Sequence, residues 1–361
     1  MSQQTPLYDR HQNAGGRIVD FFGFLMPVSY GSGIQGEVQA VRTGAGLFDV
    51  SHMGEFFISG PKAGTFLQKL TINDVSRLEI GDAQYSAMCY SDGGIVDDLI
   101  LYRRKNDFMM VVNASNIDKD FDWLHEHLTG DVTLHNRSDD FGLVALQGPN
   151  SRRILQSISA ADIDLGFYSC REIRLADEEI ILSRTGYTGE LGFEIYGSES
   201  AVVKIWDALI NTGEVTPAGL GARDVLRMEM KYALYGNDID ETTNPLEAGL
   251  GWITALDKGE FIGREALLKV KAEKPTRRLI VFEMLERGIP RQGYELRIDD
   301  QPVGIVTSGT QSPTLGKGIG LGYVQMGKHK SGQQLDVIIR NHPVPAVIVK
   351  PPFVKNTSLM S

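Results

Sequence analysis

Apolar runs of strand length recur along the whole of this chain, and most are closed by Gly, Asp, Asn or Pro. They are Gly54–Ile58, Ile95–Tyr102, Phe108–Val112, Gly142–Gln147, Glu178–Ser183, Leu279–Met284 and Ala346–Val349. Such punctuation reads as β-strands separated by turns. The 40 glycines are dispersed rather than clustered, so turns are many and no segment is of low complexity. Helical patterns lie between the runs: Gly60–Leu70, with Pro61 near its start, Asn116–Leu128, Pro149–Ser157, Ser198–Thr212, Ala222–Leu234 and Gly263–Ala272. Strands and helices do not alternate as a doubly wound parallel sheet requires, so the expected class is α+β. At roughly 100–200 residues per domain, 361 residues make two or three domains. The charged stretch Lys271-Ala272-Glu273-Lys274-Pro275-Thr276 reads as a linker. Beyond it strands and Gly turns dominate, which points to a separate small β-barrel or sandwich.

Composition narrows the partners. A hydrophobic share of 42% and a charged share of 23% are globular proportions. The formal net charge of −10 argues against nucleic acid or a membrane surface as partner, so any anionic ligand needs a local basic pocket. No apolar run approaches the ~20 residues of a membrane span. The start, Met1-Ser2-Gln3-Gln4-Thr5-Pro6, lacks the regions of a signal peptide. Only Cys89 and Cys170 are present, so neither a disulfide scaffold nor a structural zinc site is expected, and a reducing cytoplasm fits. Gly219-Leu220-Gly221 continues to Asp224 where GxGxxG needs glycine, and GxxxxGK[ST], GxSxG and HExxH are missing. His125 and His127, two apart on a helix, diverge, so no metal is expected.

Three constellations remain. Ser91-Asp92-Gly93-Gly94 turns into Ile95-Val96-Asp97-Asp98-Leu99-Ile100-Leu101-Tyr102, where both faces are otherwise apolar. At least one of the two carboxylates must enter an apolar layer and needs a partner or a shifted pKa. Spacing does not choose between Asp97 and Asp98, and a structural carboxylate is the bland alternative. In the second, a Gly-punctuated loop from Arg184 leads into a strand on which Gly192, Glu194 and Tyr196 share a face. Gly192 would leave room there for a ligand ring, and Glu194 suits a planar N–H/NH₂ donor pair. In the third, Arg223, Arg227 and Lys231 fall at i, i+4 and i+8 of a helix, a cationic stripe suited to a carboxylate tail. Tyr235 and Trp252 add aromatics for a flat ligand, though each suits a core equally.

In the same order, these segments resemble the aminomethyltransferase (T-protein) family of the glycine cleavage system. The likeness runs from Thr5-Pro6-Leu7-Tyr8 through Gly46-Leu47-Phe48-Asp49-Val50-Ser51-His52-Met53-Gly54, Gly93-Gly94-Ile95-Val96-Asp97-Asp98-Leu99, Val112-Asn113-Ala114-Ser115 and Leu146-Gln147-Gly148-Pro149. It continues through the Tyr187 loop, the Arg223 helix and Leu234-Tyr235-Gly236-Asn237-Asp238, and ends at Lys350-Pro351-Pro352-Phe353-Val354. It therefore covers essentially the whole chain. Leu191 and Met228-Glu229-Met230 depart from residues common in the family but spare its charged and Gly positions.

The resemblance implies three domains in a cloverleaf around a folate channel, with a C-terminal β-barrel. The expected division is 1–50 with 137–275 as a folate-binding core, an inserted 51–136, and 276–361. It implies that a lipoylated carrier (H) protein presents an aminomethyl group and that its one-carbon unit passes to tetrahydrofolate, a co-substrate, with release of ammonia. Neither metal nor flavin is implied. Asp98 matches the second Asp of the GGxxDDL motif, the catalytic carboxylate, which orients the folate near N5 and N10 and stabilises a cationic iminium; Asp97 is its runner-up. Glu194 matches the residue that pairs with the pterin. Met53, Tyr85, Asn113 and Tyr187 match channel positions, and Arg223 and Tyr235 the polar end of the site. A folate-binding accessory protein of iron–sulfur or RNA-modifying enzymes is the alternative. Its KGCYxGQE-like motif meets Lys258-Gly259-Glu260-Phe261-Ile262-Gly263-Arg264-Glu265 here, without the cysteine.

Overall fold

A computed structural model describes residues 2–361. Among them the chain is α+β, with three open sheets and a closed barrel. The largest open sheet has the order Cys170–Leu175, Glu178–Ser183, Gly192–Gly197, Gly142–Gln147, Gly46–Asp49, Thr216–Pro217. The second has the order Ala83–Cys89, Ile95–Arg103, Asp107–Val112, Gly54–Ser59, Thr133–Asn136. A small N-terminal sheet joins Gln3–Gln4, Phe24–Ser29 and Arg17–Phe21.

The packing follows from alternation along the strands. Gly142–Gln147 lies between Gly192–Gly197 and Gly46–Asp49 and is buried throughout. Its Val144 and Leu146 join Phe193, Ile195 and the helix Glu199–Ile210 in one core. Leu143 and Ala145 turn the other way, to a core shared with Phe57, Met109 and Val111 of the second sheet. The two sheets thus face one another across apolar side chains. The far side of the second sheet, with Phe56, Leu99, Leu101 and Met110, is covered by the helices Ala63–Leu70 and Ile117–Glu126.

The tail closes into a barrel in the order Arg277–Met284, Lys317–Gln325, Gln301–Ser312, Glu295–Ile298, Gln334–Ile339, His342–Val349. Phe282, Leu296, Val306 and Val337 fill it. The stretch read as a linker is shorter than expected. Lys271, Ala272 and Glu273 continue the helix Arg264–Glu273, so only Lys274, Pro275 and Thr276 connect it to the barrel. Lys271 and Glu273 are ordinary helix formers; the break comes at Lys274, at φ +67°.

Candidate active site

Asp97 and Asp98 are neighbours on the Ile95–Arg103 strand and leave it on opposite faces. Asp97 is fully buried. It accepts hydrogen bonds from Asn113 Nδ2 (2.8 Å), Asn116 Nδ2 (2.8 Å) and the Asn113 backbone N–H (3.1 Å). Asp98, on the face of Ile100 and Tyr102, keeps accessible surface. Its Oδ2 accepts the Tyr85 hydroxyl at 2.9 Å and its Oδ1 the Asn113 amide at 2.8 Å. Burial and the adjacent charge of Asp97 push the Asp98 carboxyl up to about 7, against the opposing pull of those two donors. A carboxyl poised there exchanges a proton near neutrality.

Four residues further along that face, Tyr102 reaches the opposite sheet. Its hydroxyl lies 3.0 Å from the Tyr196 hydroxyl, 3.1 Å from Thr185 Oγ1 and 3.5 Å from Glu194 Oε2. Glu194 is buried, and its Oε2 also takes the Thr185 hydroxyl. Its Oε1 accepts nothing from the described residues, so one carboxylate oxygen is left for a ligand.

The guanidinium of Arg223, on the helix Leu220–Glu229, lies 4.7 Å above the Tyr187 ring, and its nitrogens make no hydrogen bond or ion pair among the described residues. Burial lowers its pKa. Tyr187 donates its hydroxyl to Ala233 O and stacks on Tyr232, centroids 5.7 Å apart. Burial dominates the shifts of Asp98, Tyr85, Tyr187 and Arg223, yet each retains accessible surface. These four side chains are therefore half-buried polar groups between the two facing sheets. Met53 packs at the edge of the same inter-sheet core. Trp252 is 74% exposed and stacks on Tyr85, centroids 6.2 Å apart.

Tyr85, Asp98 and Asn113 are thus in direct contact, and Arg223 with Tyr187. Tyr235 packs against the same small core as Tyr85, and its hydroxyl accepts from Lys119 Nζ at 3.0 Å and donates to Ile95 O at 3.3 Å. The cationic stripe does not form. Arg227 is buried and pairs with Asp224 and Asp238. The helix ends at Glu229, before Lys231, which sits at φ +63° with its ammonium on Ala248 O. Nor does Gly192 make room for a ring. A Cβ there would stand 2.4 Å from the Gln147 amide, which is strapped to Thr185 and Thr188.

Three polar residues escape the sequence reading. His52 is buried with Nδ1 unpartnered among the described residues, and burial and Arg223 lower it to about 4. Asn116 and Asp120 pack behind Asp97. A lone histidine and a helix acid give no sequence signal of such placement. Among the described residues no group of three His, Cys, Asp or Glu is placed to hold a metal, and no helix is long and apolar enough to cross a membrane.

Residues 7–258 match the family described as the GCVT N-terminal domain, and 277–355 the glycine cleavage T-protein C-terminal barrel domain. The aminomethyltransferase of Halothermothrix orenii is 49% identical over 357 residues, covering 98% of this chain and 100% of the relative. That of Desulforamulus reducens is 48% identical over 358 residues, covering 98% of each. The crystal structure of glycine cleavage system aminomethyltransferase T from Bartonella henselae superposes with a TM-score of 0.94 at 32% identity, over 99% of both chains. With both domains matched and the likeness running the full length in sequence and fold, this chain belongs to the aminomethyltransferase, or glycine cleavage T-protein, family.

Proposed function

We propose that the protein moves the one-carbon unit of an aminomethyl group, presented on the lipoyl arm of a carrier (H) protein, to tetrahydrofolate. The carbon leaves sulfur and nitrogen and bonds to N5 and N10. The products are 5,10-methylenetetrahydrofolate, ammonia and the free lipoyl thiol, the last two taking the protons of N5 and N10. Binding and polarisation are what the protein supplies.

The observation that carries this reading is Asp98: a half-buried carboxyl clamped by Tyr85 and Asn113, which burial and Asp97 push up to about 7. Ionised, it stabilises the cation that develops on the transferred carbon as ammonia departs, and in this site the interaction is little screened by water. Its pKa also suits it to accept a proton at ring closure. Glu194 supports the folate assignment, because its free Oε1 suits a pterin N–H edge. Asp98 and Tyr102 are four residues apart, roughly 13 Å of strand at ~3.3 Å per residue. A two-ring head hydrogen-bonded at each end fills a gap of that order. Arg223, unpaired against Tyr187, suits the anionic tail.

On this reading residues 1–50 and 137–275 carry Glu194 and Arg223, the inserted 51–136 carries Asp98, and 276–361 is the barrel. Met53, Tyr85, Asn113, Tyr187 and Tyr235 complete the folate surroundings. The unpaired cysteines Cys89 and Cys170 are in keeping with a cytoplasmic enzyme.

The test follows methylenetetrahydrofolate and ammonia with purified carrier and tetrahydrofolate, for wild type and Asp98→Asn. Wild type forms both products; the variant binds folate but turns over at least about a hundredfold more slowly. A wild type that binds folate without releasing ammonia is a folate-binding accessory protein instead.

A further inference from the structure

Behind Asp98, on the helix side of the same strand, lies a carboxyl group the transfer chemistry leaves unused. Asp120, on the helix Ile117–Glu126, is fully buried. Neither of its oxygens has an N–H or hydroxyl partner among the described residues. A buried carboxylate without donors is costly, so the group stays protonated. Burial, then the charge of Asp97, raise its pKa well above the usual range. A protonated carboxyl has one O–H to give, and the acceptor it meets is Asp97. Burial raises the Asp97 carboxyl, and against it work the hydrogen bond from Asp120 and the three N–H hydrogen bonds from Asn113 and Asn116, which favour the charged form.

We propose that Asp120 is a positioning residue for the transfer: it holds one proton against Asp97 and so keeps Asp97 the charged acceptor that aims Asn113 at Asp98. The inference rests on the transferase reading above. The Asn113 amide has two hydrogens, and each is used, one on Asp97 Oδ1 and one on Asp98 Oδ1, both at 2.8 Å. A neutral Asp97 would loosen that clamp. It would also remove the charge that helps hold Asp98 near neutrality.

The other titratable groups facing the cluster come from several elements. Lys119 shares the helix of Asp120, and its ammonium is taken by Val96 O and the Tyr235 hydroxyl. Tyr85 and Tyr90 come from the neighbouring strand and its turn, Tyr235 and Glu241 from the segment after the Arg223 helix. Tyr168 and Tyr187 face Asp98 from the opposite sheet. None of the tyrosines ionises near neutrality, so none replaces Asp120 as the group that fixes the charge of Asp97.

The test compares Asp120→Leu and Asp120→Asn in the full chain, with tetrahydrofolate and loaded carrier. Leucine removes the donor, Asp97 takes up a proton itself, and Asp98 loses its charged neighbour. The acid limb of kcat then moves to lower pH, kcat falls about tenfold, and KM for tetrahydrofolate stays within about twofold. Asparagine keeps an N–H donor and restores the wild-type limb. Infrared difference spectra of wild type against Asp120→Asn read the proton without turnover: wild type shows a protonated-carboxyl C=O stretch at neutral pH that the variant lacks. A leucine variant with the wild-type profile, an asparagine variant as displaced as leucine, or a missing band overturns the inference. If leucine does not fold, the asparagine profile and the band decide. A wild type that releases no ammonia overturns the transferase reading instead, and the band still settles the proton on Asp120.

Discussion

Tyr85 gives its phenolic proton to Asp98 across a 2.9 Å hydrogen bond. The donor favours the charged carboxylate, whereas burial and Asp97 favour the neutral acid. Tyr85→Phe removes the donor, so the Asp98 carboxyl rises above about 7 and the acid limb of kcat moves to higher pH. A hydrogen bond to a charged group is worth about 1.5–3 kcal/mol, and one pKa unit corresponds to about 1.4 kcal/mol. A shift of about one to two units follows, with kcat near neutrality reduced about five- to fiftyfold and recovering in alkaline buffer. A pH–rate series on the two proteins checks it, and an unmoved limb would assign the titration to a group other than Asp98.

Arg223 and Arg227, one helical turn apart, separate binding from stability. Arg227 donates to Asp224, Asp238, Tyr232 O and Ser308 and is almost fully buried. Arg227→Ala strands the buried Asp238 and costs about 3–5 kcal/mol. Arg223→Ala breaks no ion pair, so it changes stability by less than about 1 kcal/mol. If Arg223 holds the folate tail as proposed, the substitution weakens folate binding about tenfold or more through loss of the Arg–carboxylate fork. Denaturant titration and calorimetric binding measure the two; equal destabilisation would make Arg223 structural.

What the sequence makes legible, and what it hides, follows from the range of the interactions. Gly142–Gln147 and Glu178–Ser183 form strands over the residues read from the pattern, because local turn chemistry closes both. The barrel is legible as a class, but in Glu295–Ile298 and Gln334–Ile339 the charged and polar Glu295, Arg297, Gln334 and Asp336 break the apolar run that marks the other strands. Asp98 stands out as a charge in an apolar strand. Choosing it over Asp97 needs to know which face meets the other sheet, information held in Tyr85 and Asn113 rather than locally. Gly192 misleads because the side chain filling its space, Gln147, sits opposite it on a strand 45 residues earlier. Asp120 reads as a solvated helix acid, and only the packing of that helix on the second sheet buries it.

Glu55 offers a stability test free of catalysis. It is buried, its Oε2 has no partner among the described residues, and burial raises its pKa well above 4.5. A group whose folded pKa lies above its unfolded value favours folding fully below the unfolded value. That contribution is lost as pH rises toward the folded one. Glu55→Gln keeps the shape and removes the titration. The variant and wild type should be equally stable near pH 4, and the variant more stable, by about 1–3 kcal/mol, near pH 8. Thermal unfolding across that range reads the slope, and parallel curves would mean that Glu55 finds a donor in solution.

The C-terminal segment fixes the loop that carries Tyr187. Ser358 donates its hydroxyl and its backbone N–H to Glu190 Oε2, at 2.6 and 2.8 Å, and accepts the Leu191 N–H at 2.9 Å. Arg184, at the other end of the loop, donates to Leu359 O at 2.7 Å. Glu190 has a second anchor in Arg42, at 2.8 Å, which also holds Glu229. Removing residues 358–361 therefore leaves the buried ion pairs in place and the fold intact, but frees one side of the Tyr187 loop. Water takes over most of the freed hydrogen bonds, and the remaining cost of ordering that loop, about 1–2 kcal/mol in all, must be met from binding energy. KM for tetrahydrofolate should rise about tenfold while kcat at saturation stays near wild type, since Asp98, Tyr85 and Asn113 are untouched. A fall in kcat at unchanged KM would instead tie the C-terminal segment to the reacting end of the site.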